Sequence, residues 1–350
     1  MDDALNTALS RADRALGRLD GSIETLPHPE LFLSMFVRRE AVLSSQIEGT
    51  QASLSDIIKA EADVVDKAMP SDVREVRNYI DAMNAGTRLL DELPVSTRLI
   101  SRLHEILMTD VRGQHQNPGE IRTSQNWIGP AGCKLTDALF VPPPPGEVHN
   151  CLSALERFIH DESPLPPLVR AGLMHAQFET IHPFLDGNGR VGRLLITLFL
   201  VEKTLLRKPV LYLSYYFKKN RAEYYDRLQA IRDRGDWEGW LLFFLEGVAS
   251  VSNLAAEAAH KVLRLREDDR QKAIEKFDRA ASTPLRILDE LYRLPVAIPS
   301  LVANTHKVSY PTANNILQGF EEIGILKEVT GKKRNRAFAY LTYMGLFDDL

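Results

Sequence analysis

The sequence predicts a mainly α-helical protein that carries a small β-hairpin flap and closes with a winged helix-turn-helix unit. Three observations point there. Apolar residues recur at spacings of three and four through most of the chain, the period that lines one face of a helix. One interval, 113–145, replaces that period with Gly, Pro, Asn and short β-prone pieces. The tail then runs as three helical stretches followed by two β-prone segments around a basic turn.

The first helix follows from Ala4, Leu5, Ala8, Ala12, Ala15, Leu16 and Leu19, with a stop expected at Gly21. The next begins after Pro29, runs through Leu31, Phe32, Met35, Phe36 and Val42, and ends at Gly49, since glycine is common just past a helix. Further helices are expected over 54–65, over 71–93 between Ser71 and Pro94, and over 99–108. Asn126-Trp127-Ile128 and Leu139-Phe140-Val141 are the expected flap strands, with a turn at 129–132 between them and four prolines at 142–145 closing the segment. Helical spacing resumes over 146–160, 168–180 and 191–203, and a last block spans 221–277 with a break near Gly235-Asp236. From Thr283 the tail reads as a separate unit, with helices over 284–294, 298–304 and 310–323 and strands over 326–329 and 337–341. The expected division is a helical segment at 1–98, a core at 99–278 and the winged-helix unit at 279–350.

At about 150 residues per domain, 350 residues suggest two to three domains. A 44% hydrophobic content is enough to bury a core. Lys and Arg number 43 against 47 Asp and Glu, a formal charge of −4 that excludes a generally basic coat, so any nucleic-acid contact must be local. The longest clean apolar run, Leu194 to Val201, is broken only by Thr197 and falls far short of the roughly 18 residues of a membrane span, so no membrane association is expected. The start has no basic stretch followed by an apolar one, so no secretory leader is expected. Cys133 and Cys151 are the only cysteines, which excludes a disulfide framework or multi-cysteine zinc site and fits a reducing cytoplasm.

The most informative stretch is His182-Pro183-Phe184-Leu185-Asp186-Gly187-Asn188-Gly189-Arg190-Val191-Gly192-Arg193, between two expected helices. Gly187 and Gly189 let the backbone turn its amides inward, and the helix that follows adds the positive end of its dipole, which together make an anion cradle. Arg190 and Arg193, three apart, can bring guanidinium forks to phosphate oxygens. Asp186 is an oxygen ligand suited to a magnesium ion bridging such phosphates. His182 stands at the mouth of the loop as a base for a hydroxyl proton. Hence the parts of a phosphoryl-transfer site lie within one short segment. A competing reading takes His175, Glu179 and His182, spaced four and three, as metal ligands. Pro183 ends any helix at about His182 and no further histidine is placed to complete that set, so His175 reads as a satisfied interior histidine.

This stretch closely resembles the signature of the Fic family, HxFx(D/E)GNGRxxR, at every position. The resemblance implies an all-α core with a flap hairpin and an enzyme that moves AMP from ATP onto a hydroxyl of a target protein, itself included. It implies His182 as general base, Asp186 as Mg²⁺ ligand, Gly187, Asn188, Gly189 and Arg190 as anion hole, and Arg193 as holder of the γ-phosphate. Upstream, Ser44-Ser45-Gln46-Ile47-Glu48-Gly49 fits the family's inhibitory pattern (S/T)xxxE(G/N), with Ser44 and Glu48 on one helical face. By resemblance Glu48 pairs with Arg193 and leaves ATP bound unproductively. The charge logic stands by itself, because an arginine paired with a carboxylate cannot fully engage a phosphate. The flap, including Ile128 as a nucleotide contact, resembles the family's in kind and would align a target backbone by strand addition. Arg221-Ala222-Glu223-Tyr224-Tyr225 resembles the segment lining the adenine pocket, with Tyr224 as the contact. Family members also form homodimers, a similarly placed glutamate can support removal of AMP, and some members transfer other phosphate-containing groups.

The tail leaves two readings open. Lys327, Lys332, Lys333, Arg334 and Arg336 make its hairpin basic, as in DNA-binding winged helices, while Glu321 and Glu322 on the third helix suit a protein-interaction module equally. From a different class, the chain would then be a DNA-binding regulator that uses nucleotide occupancy as a signal.

Overall fold

The computed structural model describes residues 2–26, 29–62, 70–111, 116–129, 132–162, 164–331 and 336–348. Helix α1 (Asp3–Glu24) starts where the Asp2 carboxylate accepts the Leu5 amide at 2.8 Å, and it runs through Gly21 rather than stopping there. Its Leu5, Leu9, Ala12, Leu16, Leu19 and Ile23 stripe is buried along α11 (Trp237–Phe277), and this tertiary contact overrides the weak helix propensity of one glycine. Helix α11 has 41 residues, so it is about 60 Å long and spans the molecule. By length and composition it would pass for a membrane span, at a mean hydropathy of 1.4, yet 61% of that window is buried inside the protein.

Helix α2 (Pro29–Ile47) buries Phe32, Met35, Phe36, Val37, Ala41, Val42, Leu43 and Ile47, and Gly49 at φ +100° turns the chain away just beyond it. Helices α3 (Leu54–Glu61), α4 (Ser71–Leu89) and α5 (Thr97–Leu107) follow. Ser71 is the first residue inside α4, not its cap; Pro70 precedes it, and the expected extension of α3 to Val65 lies outside the described residues. Helices α6 (Pro145–His160), α7 (Pro167–Ile181) and α8 (Asn188–Glu202) form the centre, with α7 and α8 buried almost all round. The block expected over 221–277 divides at Gly235 into α10 (Arg221–Arg234) and α11, preceded by the unanticipated α9 (Ser214–Lys219).

The flap is less regular than expected. Ile128 and Phe140 form one antiparallel bridge, with Ile128 N to Phe140 O at 2.9 Å, and a single 3-10 turn at Leu135–Asp137 lies between them. The ladder stops there because prolines 142–144 have no N–H to donate. Pro130 and Ala131 of the expected turn lie outside the described residues.

The tail orders its elements as α12 (Ser282–Arg293), β1 (Val296–Ala297), α13 (Pro299–His306), α14 (Tyr310–Glu322), β2 (Lys327–Glu328), β3 (Phe338–Ala339) and α15 (Leu341–Asp348). The sheet is antiparallel with order β1-β3-β2, pairing Val296 and Lys327 with Ala339. Both β1 and α15 escaped the sequence pattern. Lys332, Lys333 and Arg334 of the basic turn lie outside the described residues. The tail shares its core with the body: Tyr292 meets Phe32 at 5.0 Å, Phe347 sets its edge on Phe36 at 5.3 Å, and Ser34 Oγ and Arg38 Nη1 each donate to the Arg293 carbonyl at 3.0 Å. One hydrophobic core therefore runs from Leu5 to Phe347.

Candidate active site

The expected loop is built between the ends of α7 and α8. Helix α7 stops at His182, whose backbone is left-handed at φ 50°, ψ 60°, and Pro183 prevents continuation. Phe184 is fully buried, and Asn188 holds it from both sides, accepting its N–H at 2.8 Å and donating to its carbonyl at 2.7 Å. Asn188 is thus the loop's internal brace. Gly187, at φ +77°, begins α8; a Cβ there would meet Met108 Sδ at 2.9 Å, so only glycine fits. Helix α8 starts at Asn188, earlier than its apolar spacing suggests, and its first intrahelical acceptor is the Gly187 carbonyl, used by Val191 N at 3.1 Å. The amides of the first turn of α8 are the ones a helix leaves without internal partners, which suits them to an anion.

Arg190 and Asp186 border this cradle. Arg190 is buried, with Nη1 3.6 Å from Glu75 and Nη2 3.9 Å from Asp186, and its Nε and Nη1 have no hydrogen-bond acceptor among the described residues. A buried guanidinium with unused donors suits an anion. Asp186 is half exposed and spends Oδ1 on the Gly187 amide at 2.6 Å, leaving Oδ2 open. Among the described residues there is no cluster of three or more His, Cys, Asp or Glu side chains able to hold a metal. One open carboxylate fits an ion that arrives with phosphates, since Mg²⁺ takes its remaining ligands from phosphate oxygens and water.

His182 is 20% exposed at its side chain. Its Nδ1 faces the Glu179 carbonyl at 3.3 Å, which leaves Nε2 as the outward acceptor. Burial pushes its imidazole down to about 4, so it is a neutral base at pH 7.

Arg193 lies at the edge of the cradle, over Gly189, but its donors are taken. Its Nε donates to Ser44 Oγ at 2.8 Å, and its Nη2 donates to the Ser44 carbonyl at 3.0 Å and to Glu48 Oε1 at 2.6 Å. Burial opposes the charge of Glu48, but the Arg193 guanidinium more than offsets this and holds the carboxyl below its ordinary value. Gly189 lies beneath this pair, and a Cβ there would clash with the Glu48 carboxylate.

Two readings of histidine and tyrosine are resolved by partners. His175 uses Nδ1 on the Gly192 carbonyl at 3.0 Å and Nε2 on the Tyr224 hydroxyl at 2.9 Å, which places it in the interior and takes both nitrogens away from a metal. Tyr224 is correspondingly buried, stacked on Phe217 at 4.5 Å, so it does not line an open pocket as expected. Its neighbour Tyr225 is 40% exposed and lies within reach of the charges of Glu48 and Arg193. The one-residue difference follows from α10 turning about 100° per residue. Ile128 sits half-buried in the flap bridge.

Three residues escaped sequence reasoning. His104 stacks on Phe184 at 3.7 Å, takes the Gly119 amide on Nδ1 at 2.8 Å and reaches the Asp186 carbonyl with Nε2 at 3.0 Å. Arg122 donates to the carbonyls of His182, Ser124, Pro143 and Ile181, tying the flap stem to the loop. Asn126 donates to the carbonyls of His182 at 3.1 Å and Phe184 at 2.9 Å. Nothing in the sequence marks these roles.

Comparison with known proteins places this geometry. A family model described as Fic/DOC family N-terminal matches residues 6–88, and one described as Fic/DOC family matches 94–200, together more than half of the chain. A probable protein adenylyltransferase from Aquifex aeolicus is 28% identical over 179 residues, which cover 51% of this chain and 52% of that protein. The protein adenylyltransferase fic-1 of Caenorhabditis elegans is 31% identical over 176 residues, covering 47% of this chain and 30% of that one. The chain thus spans about half or less of the length of these relatives. In fold, it resembles a Fic family protein from Desulfovibrio desulfuricans with a TM-score of 0.61 at 19% identity, over 97% of this chain and 96% of the other. It also resembles Fic-1 from C. elegans with a TM-score of 0.52 at 22% identity, over 74% of each.

Proposed function

Since the chain belongs to the Fic/DOC family, we propose that it transfers AMP from ATP to Ser, Thr or Tyr hydroxyls of proteins and is held at low activity by Glu48. The observation that carries this reading is the junction of α7 and α8, where a neutral histidine, an open carboxylate and a buried arginine with unused donors surround a helix start.

His182 would take the hydroxyl proton on Nε2. The hydroxyl oxygen then bonds to the α-phosphorus as the bond to pyrophosphate breaks, and the electron pair leaves with pyrophosphate. Arg190 and the first amides of α8 would hold the phosphate charge in place. Asp186, together with the phosphates, would hold a magnesium ion, which would neutralise that charge. Ile128 and the flap backbone would bound the nucleotide and align the target chain, and Tyr225 is better placed than Tyr224 to meet the base. Arg193 would bind the γ-phosphate once free. Its three hydrogen bonds to Ser44 and Glu48 would account for such low activity, because a guanidinium held by a carboxylate cannot fully engage the triphosphate for in-line attack.

The test is label transfer from ATP carrying a radioactive α-phosphate, with Mg²⁺, alone and with cell lysate. Protein label is expected to rise in Glu48→Gly relative to the parent chain and to vanish in Glu48→Gly with His182→Ala. Absence of label from every form, with ATP still bound, would overturn the reading.

A further inference from the structure

Glu179 is a buried titratable group that the transfer chemistry leaves without a role. It lies one turn before His182 at the end of α7 and is 6% exposed, and its Oε1 has no hydrogen-bond partner among the described residues. Its Oε2 is 4.0 Å from His182 Nδ1, the same nitrogen its backbone carbonyl approaches at 3.3 Å. Both oxygen functions of one residue therefore converge on the ring nitrogen opposite the reacting one.

The facing helix is shaped around this carboxyl. A Cβ at Gly192 would stand 2.5 Å from Glu179 Oε1, so a glycine in mid-helix, itself destabilising, makes the room. The charged and titratable groups around it are Arg193 from α8, Glu48 beyond α2, Arg232 and Tyr224 from α10, and His182 itself. Arg232 also donates to the Glu179 carbonyl at 3.1 Å, fixing the end of α7 from outside. Burial raises the Glu179 carboxyl to about 7, with Arg193 opposing the shift and Glu48 adding to it.

We propose that Glu179 is a positioning residue for His182: its carboxyl, behind Nδ1, reinforces the backbone carbonyl in keeping the ring proton on Nδ1 with Nε2 open, and balances the positive charge that His182 gains on taking the target's proton. The inference rests on the transfer reading above. In the step it serves, the proton passes from the hydroxyl oxygen to Nε2, the oxygen–phosphorus bond forms as the bond to pyrophosphate breaks, and Glu179 exchanges no atom. A carboxylate behind a histidine base acts in this way wherever imidazolium must form away from water.

Two arms test it on the full chain. In the first, nitrogen-15 NMR of the His182 ring at neutral pH compares the parent with Glu179→Gln, expecting the Nδ1 and Nε2 resonances to move toward each other as the tautomers mix. In the second, Glu179→Gln in the Glu48→Gly background is expected to lower kcat for transfer about tenfold with the KM for ATP nearly constant. Glu179→Asp, which retains the charge, should recover part of that loss. An unchanged tautomer in Glu179→Gln, or equal losses in Gln and Asp, would overturn the proposal. If no form transfers label, Glu48→Gly included, the transfer reading fails and the tautomer arm alone decides the role of Glu179.

Discussion

Arg193 and His182 meet the same burial with opposite results. Arg193 keeps its charge because Glu48 answers it, whereas the His182 imidazole is driven to about 4 with only a carbonyl at Nδ1 and a carboxyl beyond. Glu48 is among the charges that favour the His182 imidazolium, so removing it should not raise that value. For Glu48→Gly combined with Glu179→Gln, which leaves no carboxyl titrating near 7 behind the ring, kcat/KM for transfer is expected to stay level as pH falls through 6.5 and to drop only toward about 4. A pH–rate profile checks this, and an acid limb near 6.5 would contradict it. At this scale the site was largely legible in sequence, because His182 to Arg193 is contiguous and its spacing carries the geometry. His104, Arg122 and Asn126 were not, since they bind backbone carbonyls 56 to 82 positions away, and every residue type carries a carbonyl. Tyr224 was misplaced for another reason: two adjacent tyrosines leave the choice of face to the core, which claimed the one that could reach His175.

Helix α2 has a double task at the scale of the element. Its apolar residues are a wall of the core, and its last turn with the residue just past it presents Ser44 and Glu48 to Arg193. Ser44→Ala removes the acceptor of Arg193 Nε and leaves the Ser44 carbonyl and Glu48 in place. An unsatisfied buried donor costs about 1–3 kcal/mol, so label transfer by Ser44→Ala should exceed that of the parent but remain below that of Glu48→Gly. Equal activity of the two variants would assign the restraint to the hydroxyl rather than the carboxylate. Helices with a long apolar stripe were read with their ends nearly right, while α9 and α15 were missed because both are short and carry too few turns to show a period. The flap strands reduced to one bridge because proline chemistry ends a ladder that alternation alone would extend.

Across the whole molecule, buried histidines and glutamates pull stability in opposite directions with pH. His104, His175 and His182 are held at about 4, 3 and 4, so the unfolded chain, with histidines near 6.5, binds more protons as pH falls below that value. Glu40 and Glu179 are raised to about 7 from 4.5, so the folded chain binds more protons between those limits. The two sets nearly cancel from pH 6.5 to 4.5, leaving a loss of roughly 1 kcal/mol per pH unit; below 4.5 the histidines act unopposed at about three times that slope until His104 and His182 themselves take protons near 4. Denaturant unfolding at a series of pH values checks the break, and a uniform slope would refute it. The division into three units was expected from composition changes along the chain, yet the tail's Tyr292 and Phe347 close over α2, a contact no local pattern announces. The sharing of α2 has one more consequence. The restraint on Arg193 cannot leave as a detachable piece, because its helix is part of the interior; only the Glu48 side chain, 37% exposed and followed by Gly49, is loose enough to swing. Release is therefore an event at a side chain, not the departure of a helix. A stimulus then need only bias how long the carboxylate stays away, setting a duty cycle instead of flipping a domain.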